Sequence, residues 1–356
     1  MRPLLALLLI LPSLSFAQSR LGADDAAILQ EGLAVTADAF VLPAYAAQEA
    51  AATNLRDQLD AYCTGDGDIA VVHTAFADVF LTWQRSSIVQ VGPITEAEGP
   101  MRVQLWPDPK GFARRAVRTA LAAEDPALVA PDGLDGRSIA LTNLTALETL
   151  IYDPLPVQSY ACDLATAIAA FQADLAAHLV AAWTPGSAFR GEYDTAISGN
   201  PRYPNVDTLV REFLAGAIVY VDRLRKFKLL RGLGEATGEA RPERTEARRS
   251  GLGLPSIETS FRTLADFYET PFGLFDVAPD IGGSMEYYVL GETARSIADT
   301  IAIDPRPLDE IVAEDGTSAS ELRRFADLVL YQESFLKSGF SGSIGLTTGF
   351  TAADGD

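Results

Sequence analysis

The sequence predicts an all-α protein. Several long segments place apolar residues three and four positions apart, the spacing that gives a helix one buried face. Alternating apolar and polar runs joined by tight turns, which are typical of β-strands, are scarce. The chain beyond its first 17 residues is long enough for one large or two ordinary domains, and its hydrophobic content of 48% can supply their cores.

Each predicted helix has a local signal. Residues 24–62 form an alanine-rich helix interrupted at Pro43, because proline lacks an amide hydrogen and clashes with the preceding turn. Residues 163–183 carry an apolar stripe behind a suitable N-cap, Asp163. Residues 207–230 repeat this pattern, and the basic residues at their end complement the helix dipole. Further helices are predicted at residues 69–86, 111–123, 257–268 and 318–337.

Two polar segments divide the chain. Residues 184–204 are irregular and rich in proline, glycine and asparagine, so we predict the domain boundary there. The second segment, residues 232–255, contains glycines whose spacing does not match a dinucleotide-binding turn. The expected units are a signal peptide at residues 1–17, an N-terminal domain at 18–190 and a C-terminal domain at 191–356.

The first 17 residues have the composition of a secretory signal peptide. Arg2 precedes an apolar run, and the small residues Ser15 and Ala17 suit signal peptidase. No cysteine precedes Cys63, so we expect no lipid anchor at the mature N-terminus. We also expect no later segment to be long and apolar enough to cross a membrane. These features predict a periplasmic protein.

The chain is strongly acidic. Its net charge is −20, and loss of Arg2 with the signal peptide would make it −21. Nucleic acids and anionic membrane surfaces would repel such a protein, so we expect neither nucleic-acid binding nor membrane insertion. Acidity also suits cations, but a solvated acidic surface that maintains solubility is the commoner cause.

Cys63 and Cys162 are the only two cysteines. Because export places them in an oxidising compartment, we predict a disulfide between them. The alternative is a pair of buried free thiols.

One carboxylate lies in an otherwise apolar helical run. Glu148 is surrounded by leucines in residues 141–152, where burial of an acid is costly unless a partner or ligand compensates for it. Thr145 precedes it by three positions, so both side chains project from one helix face. This face could bind a ligand. The alternative is a capping box, in which Thr145 caps the helix and Glu148 reaches back to its amide.

Several segments together resemble the imelysin family of periplasmic bacterial proteins. Residues 143–148 occupy the place of the family's Gly-x-His-x-x-Glu motif, with Asn143 for the glycine, Thr145 for the histidine and Glu148 retained. Residues 246–251 resemble its Glu-x-Trp-Arg-Ser-Gly segment, with Arg248 in the tryptophan position. The remaining matches are Trp83-Gln84-Arg85 with Gly92-Pro93, Trp106-Pro107-Asp108-Pro109-Lys110-Gly111, and the tail at 349–356.

The resemblance implies two helical bundles packed side by side, related as divergent repeats, with functional residues near their junction. On that arrangement Arg85 and Arg249 have two interpretations. Either guanidinium could neutralise Glu148 as a structural ion pair. Alternatively, Arg85, Thr145, Glu148, Arg249 and Ser250 could line a pocket whose arginines bind a carboxylate or another anion.

Few side chains in this sequence are candidates for metal binding or for nucleophilic catalysis. His73 and His178 are the only histidines; His73 has no carboxylate three or four residues away, and His178 has only Asp174, four residues before it. Metalloprotease and di-iron patterns are therefore missing, as are serine-hydrolase elbows. Iron(III) can be bound by oxygen ligands alone, and the candidates are Glu148, Glu246, Asp354 and Asp356.

The leading hypothesis is a periplasmic ligand- or metal-binding protein associated with iron acquisition and without catalytic activity. The resemblance implies the iron connection and suggests iron or another divalent metal as cofactor. The runner-up is a secreted metallopeptidase, the activity that gave the family its name, although replacement of the motif histidine by Thr145 argues against it. A third hypothesis is a structural partner of an outer-membrane receptor or of another periplasmic protein.

Overall fold

The computed structural model describes residues 21–346, apart from the side chains of residues 97 and 98. Within that range the chain is all-α and has no strand, as the periodicity predicts. The expected signal peptide and the two tail acids, Asp354 and Asp356, lie outside the described residues.

The α-helices follow one another in this order: α1 (Ala23–Thr36), α2 (Leu42–Thr64), α3 (Ile69–Ser86), α4 (Gly99–Val103), α5 (Phe112–Ala123), α6 (Ile139–Thr142), α7 (Leu144–Ile151), α8 (Tyr160–Trp183), α9 (Ala188–Asp194), α10 (Val206–Arg223), α11 (Leu230–Leu233), α12 (Gly253–Tyr268), α13 (Glu286–Ile301), α14 (Leu308–Glu314), α15 (Thr317–Ser334) and α16 (Ser341–Ser343). Three π-helical segments extend them at Ala37–Val41, Leu224–Leu229 and Phe335–Phe340. Short 3-10 turns occur at Gly92–Glu98, Ala196–Ser198, Pro242–Arg244 and Ala278–Ile281.

Two groups of helices pack side by side. In the first, α2 packs against α3 and α8, and α7 packs against α5 and α8. In the second, α12 packs against α13, and α10 packs against α15. Helix α3 also packs against α12, and this contact joins the two groups. Helix α1 packs against α10 of the second group, although it is first in the chain. The boundary between residues 190 and 191 stays a prediction.

The disulfide prediction is confirmed. Cys63 and Cys162 are bonded, with their Cα atoms 5.6 Å apart, and the chain has no free cysteine. The bond joins the end of α2 to the start of α8 and closes a separation of 99 residues. In the chain-entropy account a cross-link of this span stabilises the folded state by about 4–5 kcal/mol.

Several helix ends differ from the sequence-based expectation. Pro43 does not break the first helix, because a π-helical turn immediately before α2 accommodates the missing backbone hydrogen bond. Ser159, and not Asp163, caps α8, and its hydroxyl accepts from the Cys162 amide at 3.3 Å. Helix α13 is absent from the sequence-based list. Its internal Gly291 is unfavourable in a helix but allows close packing, since a Cβ there would lie 2.5 Å from the Glu269 carboxylate.

Two helical stretches are long and apolar enough to cross a membrane, judged by length and composition alone: Ala23–Thr64 and Tyr160–Trp183. The expectation that no such segment exists is therefore wrong in those terms. About half of each apolar window is buried in the fold, 50% and 44% respectively, and both stretches contribute residues to the core.

Candidate functional site

A cavity of about 680 Å³ lies where the two helical groups meet, between α7 and the segment that leads into α12. Four stretches of chain supply its walls. They are residues 104–114 with Phe80 of α3, the face of α7 that carries Thr145, Glu148 and Thr149, residues 243–249, and Asp309 of α14.

Glu148 is the buried acid of this cavity, with 8% of its surface exposed. Its Oε1 accepts hydrogen bonds from the Ser250 amide at 2.9 Å and from the Ser250 hydroxyl at 2.7 Å. Its Oε2 has no hydrogen-bond partner among the described residues. One carboxylate oxygen is therefore satisfied by the protein, and the other remains available at the cavity.

The capping-box interpretation of this helix is wrong. Asn143 caps α7, and its Oδ1 accepts from the Ala146 amide at 3.0 Å. The Thr145 hydroxyl instead donates to the Leu105 carbonyl at 3.1 Å. Glu148 turns away from its own helix start toward Ser250, which lies 102 positions later in the chain.

Burial raises the pKa of Glu148, because removal from water disfavours the charged form. The two hydrogen bonds from Ser250 and the positive charge of Arg249 act in the opposite direction, and they are weaker than the burial effect. Protonation of Glu148 is thus easier in the folded protein than in water.

A second acid of the cavity, Glu246, is fully paired. The Lys228 ammonium lies 2.7 Å from Oε2, which also accepts from the Ser256 hydroxyl at 2.7 Å. The Gln104 side chain donates to Oε1 at 2.8 Å. Lys228 further donates to Gln84 at 2.7 Å and to Ser256 at 2.6 Å. Both charged groups are buried, and both carboxylate oxygens have donors.

Lys228 was missed as a site residue. Its position at the end of residues 207–230 predicts a basic residue that complements the helix dipole, which would place it in solvent. The structure buries it in a π-helical segment, with 7% of its surface exposed. A signal was available: Val221, Leu224 and Lys228 are spaced by three and four, so the lysine continues the apolar stripe.

The turn between Glu246 and Ser250 positions the acid and its neighbours. Ala247 has a φ of 46°, in the left-handed region that side chains with a Cβ rarely adopt. Such a conformation costs on the order of 1 kcal/mol and persists only where the surroundings hold it. This turn buries Glu246, leaves Arg248 and Arg249 exposed, and presents Ser250 to Glu148.

The two predicted arginines occupy different places. Arg249 lines the cavity and forms an ion pair with Asp153 at 2.5 Å. Arg85 lies outside the cavity lining, pairs with Asp266 at 2.5 Å and stacks over the Phe40 ring. The expectation that Arg85 would pair with Glu148 or join its pocket is therefore corrected. Its helix, α3, turns the guanidinium toward α12.

Trp83 and Trp106, the two tryptophans of the family-like segments, lie in different surroundings. Trp83 is a core residue with 4% exposure, whereas Trp106 lines the cavity. Two cations flank Trp106: Arg223 donates to its carbonyl at 2.8 Å, and Arg231 lies over its ring at 5.7 Å.

Asp108 caps α5, accepting from the Phe112 amide at 2.8 Å and the Ala113 amide at 2.9 Å.

The donor set does not fit a bare metal ion at Glu148. Within residues 21–346 no group of three His, Cys, Asp or Glu side chains could hold one. Glu246 already uses both oxygens, and the Thr145 hydroxyl donates to a carbonyl. His73 binds the Ile151 carbonyl at 2.9 Å and stacks on Tyr152, and His178 is exposed. Neither histidine lines the cavity.

Comparison with known proteins places these observations in a family. The family model described as Imelysin matches residues 41–309. The structure is similar to that of an imelysin-like protein from Psychrobacter arcticum 273-4, with a TM-score of 0.73 and 18% sequence identity. That alignment covers 94% of this chain and 100% of the other, and at this identity it establishes the fold. A search of curated proteins found no match.

Proposed function

This chain belongs to the imelysin family, and from that premise we propose that it is a periplasmic ligand-binding protein of iron acquisition, without catalytic activity of its own. The observation that carries the proposal is Glu148. A buried carboxylate with one free oxygen faces a cavity of about 680 Å³, a size typical of small-molecule sites.

The rest of the cavity supports binding rather than catalysis. Catalysis of hydrolysis needs a nucleophile with an adjacent base, or a metal ion with an open coordination position. Two threonine hydroxyls of α7 line the cavity near Glu148, and both are held by carbonyls: Thr145 donates to Leu105, and Thr149 donates to Thr145 at 3.0 Å. The Ser250 hydroxyl donates a hydrogen bond to Glu148, but Ser250 lies outside the cavity lining and is not presented to a bound substrate. These contacts hold the walls in place.

The link to iron comes from the family resemblance and the predicted periplasmic location. The donor set around Glu148 suits an organic ligand better than a bare ion, so iron would arrive as part of a larger ligand. A metallopeptidase would differ from such a protein, because it would need a metal ion bound directly by protein side chains.

The test is a retention experiment. The mature protein is incubated with a small-molecule extract, separated from unbound solutes and measured by native mass spectrometry. We expect a retained small molecule on the wild-type protein, loss of it in Glu148→Ala, and retention in Glu310→Ala. Glu310 is an exposed acid of α14 outside the cavity lining and serves as the matched control. Equal retention by Glu148→Ala would contradict the proposed site.

Two parallel assays address the alternatives. Cleavage of denatured casein by the wild-type protein that stops in Glu148→Ala would support the peptidase instead. Tight, stoichiometric binding of iron or zinc ions in calorimetry, lost in Glu148→Ala, would overturn the argument against a bare metal site. We expect neither result.

A further inference from the structure

Five acids line the cavity, and two of them are neutralised by an ion pair within the described residues. Glu246 is paired with Lys228, and Asp309 is paired with Arg248 at 3.2 Å. Asp108 is occupied by the first amides of α5. Asp108, Glu148 and the exposed Glu243 are the lining acids that form no ion pair within residues 21–346.

Several cations around the same cavity are not neutralised. Lys110 and Arg114 are exposed, line the cavity and form no ion pair within the described part of the chain. Behind them, Arg223 and Arg231 contact Trp106 and likewise form no ion pair there. Burial lowers the pKa of both guanidinium groups, and at Arg223 the nearby charges of Glu246 and Asp222 offset only part of that effect.

Among the described residues, these four cations without an ion pair face three acids without one, in a protein of net charge −20. Arg223 and Arg231 are partly buried, where a cation without an ion pair is costly, and an anion bound nearby would compensate for them. Long-range repulsion from the acidic surface would otherwise oppose an anionic ligand, so local cations are needed to attract it.

Two features define the class of anion. Phosphate sites commonly use free backbone amides at a helix start, but Asp108 already occupies those of α5. The groups left are an ammonium and a guanidinium, which pair well with carboxylates. Glu148 Oε2, in contrast, accepts hydrogen bonds when ionised and therefore suits a hydroxyl group.

We infer that the cavity binds a small hydroxylated polycarboxylate, with its carboxylates on Lys110 and Arg114 and its hydroxyl on Glu148. This inference rests on the proposed function and names the ligand class of the same site. The free acid and its complex with iron(III) share this chemistry, and the two forms are distinguished by titration of each.

The experiment uses citrate as the probe in calorimetry with the mature protein. We expect saturable binding of citrate, and no binding of myo-inositol, which has hydroxyls but no charge. The double variant Lys110→Gln/Arg114→Gln should bind citrate about tenfold more weakly, since each exposed ion pair contributes modestly. Both residues are exposed, so the variant keeps its core.

A matched control separates specific contacts from general charge. Arg115→Gln/Arg118→Gln removes the same charge at exposed positions of α5 outside the cavity lining, and it should change the affinity little. Equal weakening by both double variants would overturn the assignment of Lys110 and Arg114. Titration of citrate with and without iron(III) then shows which form binds more tightly; either order supports a polycarboxylate site.

Other outcomes distinguish this inference from the proposed function. If citrate fails to bind while the retention experiment detects a different small molecule, the polycarboxylate inference falls and the proposed function stands. If pyrophosphate binds more tightly than citrate, the ligand class is wrong. If neither citrate nor any retained molecule is found, both proposals fall.

Discussion

Glu148 and Glu246 are both buried acids of one cavity, yet their surroundings differ. Glu246 has an ammonium, an amide and a hydroxyl as donors, which satisfy both oxygens. Among residues 21–346, Glu148 has only Ser250 as a donor, and Ser250 satisfies one oxygen. The first is a closed structural network, and the second is an incomplete one. The difference teaches that burial of an acid does not by itself mark a ligand site; an unsatisfied acceptor at a cavity does.

The energetic consequences differ in the same way. A buried ion pair is stable only while both partners are present, because loss of one leaves an uncompensated charge in a low-dielectric region. An acid that lacks a cationic partner responds instead by a raised pKa, as Glu148 does. Four substitutions test this contrast, and they are given from the largest expected effect to the smallest.

Lys228→Met should lower the free energy of unfolding by about 3–5 kcal/mol, because it leaves Glu246 buried without its cation. Urea denaturation followed by circular dichroism measures this change. The double variant Lys228→Met/Glu246→Gln removes the charge as well and should recover most of the loss. A single-variant cost below about 1 kcal/mol would show that the pair is not a stabilising network.

Ser250→Ala should lower the free energy of unfolding by about 1–3 kcal/mol, since it removes a hydroxyl donor 2.7 Å from a buried carboxylate. The Ser250 amide remains to satisfy Oε1 in part. The pKa of Glu148 should rise further. The same denaturation experiment at several pH values checks both effects, with Ser320→Ala on the exposed side of α15 as control. Equal costs for both variants would be a contradiction.

Glu148→Gln should change how the free energy of unfolding depends on pH more than it changes the magnitude of that free energy. The pKa of Glu148 is raised in the folded state, so its contribution is fully present below the ordinary glutamate value and is lost as pH rises through the raised pKa. The variant lacks this loss. Its free energy of unfolding relative to wild type should therefore increase over the interval from about pH 4 upward. Parallel curves over that interval would refute the raised pKa.

Arg85→Gln should have the smallest effect. Both side chains of the Arg85–Asp266 pair are about a third exposed, 35% each, so the pair is worth less than about 1 kcal/mol. Ligand retention should be unchanged, whereas Arg249→Gln should weaken it because Arg249 lines the cavity. Native mass spectrometry of the two variants makes this comparison, and loss of retention in Arg85→Gln alone would reverse the assignment.

Much of the fold could be predicted from local pattern. The helix predicted at residues 69–86 coincides with α3, and the predicted disulfide is present. The candidate site could be predicted only in part. Glu148, Thr145 and Arg249 line one cavity and Ser250 binds Glu148, whereas Arg85 lies outside the cavity lining and Lys228 was missed.

The sequence by itself determined the helical class, the position of several helices and the pairing of the only two cysteines. The helices depend on residue spacing over one or two turns. The disulfide has no alternative pairing, because the chain has only two cysteines. Only the tertiary structure decided which charges meet. The residue that donates to Glu148 is 102 positions away in the sequence, and Arg85 pairs with Asp266, which is 181 positions away. Periodicity reports which face of a helix is buried, but the packing of α3 on α12 and of α7 on the turn at residues 246–250 selects each partner.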